Sequence, residues 1–121
     1  MSTKPTKNSN STADAITRKP LLTATLAQHK NVDHVEIKEI DFTPHQQTGR
    51  HFHPCPVVGL VTKGAILFQP EGQPLQTLHP GDAFYESANA IIERFDAAAE
   101  PATFVCFYLL GPSESLLIEQ L

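Results

Sequence analysis

The chain has 121 residues, a formal net charge of −4 from nine Lys and Arg against thirteen Asp and Glu, and 40% hydrophobic residues. That length supports one core rather than two, and the acidic balance lacks the clustered cations that grip nucleic acid. No apolar run approaches the roughly 20 residues of a membrane span and no apolar stretch follows the early lysines, which predicts a soluble cytoplasmic protein without nucleic-acid or membrane partners.

Residues 1–20 are rich in Ser, Thr, Asn and Lys. They cannot bury enough surface to offset the entropy of ordering and are predicted to be a flexible tail, with the folded domain over 21–121. The alternative is that Ala13–Ile16 and Leu21–Leu26 pack onto a partner subunit. Eight of the ten Pro and all six Gly fall in the remainder and divide it into short extended pieces. Leu21–Leu26 reads as a strand. In Val35–Phe42 the alternation places Val35, Ile37, Ile40 and Phe42 inward, with a bulge at Glu39 where the phase changes. Arg50–Pro54, Val57–Thr62 and Ala65–Gln69 follow, then a hairpin at Pro70–Pro74, a return at Leu75–Leu78 and a tight turn at His79–Asp82. Ala83–Glu86, Ala90–Phe95 and Thr103–Leu110 are the remaining strands, and Ser113–Leu121 is the one stretch expected to turn helical. Strands at this spacing predict an all-β sandwich or barrel.

The chemistry concentrates in His51-Phe52-His53-Pro54-Cys55-Pro56. Two imidazoles two residues apart in a strand point to one side of a sheet, and neutral imidazole is the commonest metal ligand. Gly64 follows at a distance, and Pro80-Gly81-Asp82 opens a later strand. With this spacing the chain resembles the cupin superfamily over roughly residues 33–112, in particular the small single-domain bacterial cupins. The resemblance implies a double-stranded β-helix, the jelly-roll barrel. It also implies a metal centre of three imidazoles and one carboxylate. Here His51, His53, Gly64 and Gly81 match the motifs. Val57 stands where the glutamate belongs, Ile92 where the third histidine belongs, and Ser87, Asn89 and Asp96 replace the Pro, Gly and Asn. Asn at 89 is compatible because it visits left-handed backbone angles readily. The metal motifs are therefore degenerate.

Two histidines alone hold a divalent ion weakly, so a third ligand decides the matter. Glu86 points inward if Phe84 does. Glu93, one residue past the lost histidine, turns inward after a one-residue slip. Cys55 is a softer candidate between two prolines, and His45 and His79 lie in turns. Arg94 is a candidate for gripping a ligand carboxylate or phosphate. The two cysteines are expected to be free thiols. Two functions follow. In one, an apolar pocket of Val57, Val61, Phe68, Phe84, Ile92, Arg94 and Phe107 binds a small molecule, with a divalent metal at a partial two-His site. In the other, the protein is a metal-dependent enzyme (dioxygenase, isomerase or lyase type) in which Fe, Mn, Zn or Ni activates water or dioxygen. No catalytic residue is assigned. Because Thr103–Leu110 is apolar on both faces, a homodimer is predicted, with Leu21–Leu26 or Val35–Phe42 contributing.

Overall fold

Alternation is clearest in the strand Ala102–Leu110, where Ala102, Phe104, Cys106, Tyr108 and Leu110 are buried and the residues between them are not. The computed structural model describes residues 15–115 and 119–120, so residues 1–14 of the tail expected over 1–20 lie outside the described residues. Strands in chain order are β1 (His34–Phe42), β2 (His51–Phe52), β3 (Val57–Lys63), β4 (Ile66–Pro70), β5 (Gln76–Leu78), β6 (Ala83–Glu86), β7 (Ile92–Ala97), β8 (Ala102–Leu110) and β9 (Glu119–Gln120). All pair antiparallel, in one sheet of order β1-β8-β3-β6 and another of order β5-β4-β7-β2-β9. This is the all-β jelly-roll barrel expected from the motif spacing.

The sheets close on a core that includes Val57, Val61, Ile66, Ile92 and Leu110, each at most 1% exposed. Phe42, Phe84 and Phe104 come from the first sheet and Phe68 and Phe95 from the second. Their rings meet edge-on or tilted with centroids 4.9 to 6.3 Å apart. Such pairs contribute about 0.5–1.5 kcal/mol each beyond area burial, so this cluster ties the sheets together.

Four local expectations are corrected. Leu21–Leu26 forms no strand. The β1–β8 ladder runs unbroken from His34↔Leu110 to Phe42↔Ala102, so Glu39 carries no bulge. One phase therefore holds along β1: Ile40 and Phe42 pack on the core, and Val35 and Ile37 face out, 47% and 61% exposed. The extra residue sits instead in β7, where Gln69↔Arg94 is followed by Pro70↔Ile92 and Glu93 is left without a partner. Pro70 has no N–H for the ladder, which suits a break there. Finally, Glu119–Gln120 is a strand against β2, not helix, and residues 116–118 and 121 of the expected helix lie outside the described residues.

Candidate metal centre

β2 is short, but it is held between β7, where His51 faces Ile92, and β9. His51 and His53 both turn into the barrel and are buried. Pro54 restricts the residue before it to extended backbone, which carries the alternation past the end of the strand. The His51 Nδ1 lies 2.7 Å from the Gly49 carbonyl oxygen. A carbonyl only accepts, so Nδ1 donates, which in the neutral ring leaves the lone pair on Nε2, the arrangement that orients a metal-binding imidazole. The His53 carbonyl accepts from the Asn89 N–H at 2.7 Å. Asn89 sits at φ 65°, the left-handed conformation expected of the residue replacing the motif glycine. The two imidazole rings stand at 88° with centroids 5.2 Å apart.

Glu86 ends β6, two residues after inward-facing Phe84, and its cross-strand partner in β3 is Val57. The carboxylate missing at 57 is thus supplied by the neighbouring strand. Glu86 is 5% exposed, and its Oε1 lies 3.2 Å from His53 Nε2. That approach lacks hydrogen-bond alignment: Glu86 Oε1 and His53 Nδ1 are buried without a hydrogen-bond partner among the described residues. Leaving a buried carboxylate oxygen unpaired is costly unless something binds it. One ligand atom each from His51, His53 and Glu86 lies within 4.8 Å of the others. Atoms about 2.1 Å from a shared ion sit roughly 3–4 Å apart, so rotamer adjustment of under about 1 Å suffices. The donor set fits a divalent ion.

Tyr108 stands beside the site, its ring 6.0 Å from that of His53. Burial, and then the charge of Glu86, push the Cys106 thiol up to about 12. Burial raises the Tyr108 phenol as well. Both stay neutral and add no charge to the centre. Tyr108 was not among the candidates; taking the phase of β8 from Phe104 and Leu110 places it inward.

The other candidates are dispersed. Glu93 accepts from Arg50 Nε at 2.9 Å, and Arg50 Nη2 also reaches Glu71 at 2.6 Å, outside the barrel. Arg94 donates to Asp96 at 3.0 Å and grips no ligand site. The cause is the bulge: it lets Ile92 and Phe95, three residues apart, both point inward, and leaves Glu93 and Arg94 outside. Phe107 is 36% exposed on the outer face, because the even-numbered residues of β8 fill the core. Val57 and Val61 are packed into the core. Phe68, Phe84 and Ile92 line a cleft of about 340 Å³ that reaches Glu86, bounded by Leu22, Gln73 and Gln76. The cleft lies between β6 and the β4–β5 hairpin and is floored by inward-facing side chains. Cys55 and Cys106 are free and buried, and Cys55 stands apart from the three-ligand group. His45 lies in an exposed turn, its N–H bonded to the Ala98 carbonyl, and exposed His79 pairs with Asp82.

Neither a family profile nor a curated protein matches the sequence. Solved structures do match the fold. A cupin-like protein from Thermotoga maritima is 25% identical, with a TM-score of 0.59 over 72% of this chain and 64% of its own. A cupin protein from Bacteroides fragilis is 16% identical, with a TM-score of 0.57 over 81% and 91%. A DMSP lyase from Ruegeria pomeroyi is 16% identical, with a TM-score of 0.61 over 69% of this chain but 42% of its own. The chain spans under half the length of the DMSP lyases it matches. A sugar phosphate isomerase, an oxalate oxidase and a polyketide cyclase are also similar in structure. The protein has the fold of a small cupin barrel. Among its described residues no helix is long and apolar enough to cross a membrane.

Proposed function

We propose that this cupin binds a divalent metal ion through His51, His53 and Glu86 and presents it to a small organic molecule entering by the Glu86 cleft. The observation that carries the reading is the buried Glu86 Oε1, unpartnered and 3.2 Å from His53 Nε2. Two imidazoles with one carboxylate suit Fe, Mn, Zn or Ni and leave coordination positions open. When bound, such an ion supplies Lewis-acid polarisation of a coordinated oxygen. The chain does the rest: the Gly49 carbonyl holds the His51 ring, the Asn89 N–H holds the His53 backbone, and Phe68, Phe84 and Ile92 keep bulk water from the cleft floor. The fold serves lyase, isomerase, oxidase and cyclase chemistry in the similar structures named above, so it selects no reaction.

A second reading, a metal-free binding module, is favoured by Ile92 in the place of a third imidazole. Elemental analysis of purified protein beside a His51→Ala/His53→Ala variant separates the two. Stoichiometric metal, lost in a variant with an unchanged circular dichroism spectrum, supports metal binding. Absence of metal after equilibration of folded wild-type protein with each of the four ions overturns it.

A further inference from the structure

The cleft that reaches Glu86 is not built to hold an anion along its length. Among the described residues lining it, Glu86 carries the only charge. Its floor is Phe68, Phe84 and Ile92, each at most 4% exposed, and its polar rim of Gln73, Gln76 and Ser87 is uncharged. Gln76 lies directly across the β4–β5 ladder from inward-facing Phe68, so its amide shares that face. The neighbouring cations are held elsewhere. Arg50 bridges Glu71 and Glu93, and Arg94 pairs with Asp96. Lys19 stands in the adjoining groove, which shares Gln76 and Ala83 with the cleft but also contains Asp82.

A carboxylate or phosphate seated against Phe68 and Phe84 loses its hydration and gains no counter-charge, so the cleft rejects it. An anionic oxygen is neutralised at the inner end alone, by a divalent ion whose charge exceeds that of Glu86. We infer that the cleft takes a small molecule with one oxygen-bearing head at the ion and an uncharged, largely apolar body, hydrogen-bonded at its outer end by the Gln76 amide. This rests on the metal binding proposed above and adds the class of ligand: hydroxy or keto compounds with a neutral body, to the exclusion of sugar phosphates and dicarboxylates. A volume of about 340 Å³ suits a molecule of that size.

The full chain, loaded with whichever of the four ions it retains and checked by elemental analysis, is titrated calorimetrically with benzohydroxamate and 4-carboxybenzohydroxamate. The two probes share a metal-binding head and differ by a charge at the far end. Wild type binds the uncharged probe at least about tenfold more tightly. Gln76→Arg, at an exposed position, sets a guanidinium at the rim and narrows the gap to within about threefold. Thr77→Arg adds the same charge on the other face of β5, opposite Leu67, and leaves the gap in place. With metal bound, equal affinity of wild type for both probes, binding of neither, or equal narrowing by the two variants overturns the inference and leaves the metal site standing. Protein that retains none of the four ions overturns the metal reading, and this inference with it.

Discussion

Glu86 stands directly across the β3–β6 ladder from Val57, so the carboxylate absent from one strand is present on the next, facing the same imidazoles. Glu86→Gln keeps the shape and removes the charge, and is expected to weaken Mn²⁺ or Zn²⁺ binding more than tenfold by isothermal titration calorimetry. Glu93→Gln, which alters the outer pairing with Arg50, leaves it unchanged. Equal losses in both variants would remove Glu86 from the ligand set.

Ile92 faces His51 across the β2–β7 pair and is 1% exposed. Ile92→His sets a third imidazole beside the other two. Metal affinity should rise at least tenfold, since three imidazoles and a carboxylate complete four protein ligands. Ile92→Val serves as the control and leaves affinity within about twofold. A titration showing no gain for the histidine variant would place the ion away from His51.

Two glycines are required for different reasons. Gly81 has φ 94° with nothing near its missing Cβ. Gly81→Val therefore costs backbone strain alone, more than about 1 kcal/mol in a urea melt. A Cβ at Gly59 would overlap the Phe84 ring. Gly59→Ala is an overpacking change of about 1–3 kcal/mol. Adding Phe84→Leu should return part of the Gly59→Ala cost and none of the Gly81→Val cost, which a double-mutant cycle reads directly.

Alkaline pH should destabilise the fold. Burial raises Cys106 from 9.0 to about 12, and raises Tyr108 from its ordinary 10.0. Between the unfolded and folded values the unfolded chain binds fewer protons, so stability falls as pH rises. It is fully present below about pH 9, the unfolded cysteine value. Thermal midpoints measured from pH 8 to 11 should decline, and Cys106→Ser should flatten part of the slope. A level profile would contradict the buried neutral thiol.

Much of this protein is legible along the chain. Turn residues and alternation mark most of the strands, and the His-x-His spacing puts both imidazoles on one side of β2 because direction along a strand repeats every two residues. Asn89 takes the left-handed backbone angle expected from its place at the motif glycine, one that its residue type tolerates. The phase of β1 is different. Val35 and Ile37 alternate as well as any inward pair, and only the unbroken register with β8 turns them out.

The choice between the two candidate third ligands was likewise made at a distance. Glu86 and Glu93 are both carboxylates near a strand end, and their own neighbours in sequence do not separate them. Pairing of β7 with β4 does: it leaves Glu93 unmatched opposite the Gln69–Pro70 step, turns it towards Arg50, and gives the barrel interior to Ile92 and Phe95. Local spacing determines where a side chain points within its strand, whereas ladder register between strands distant in sequence determines which side chains meet.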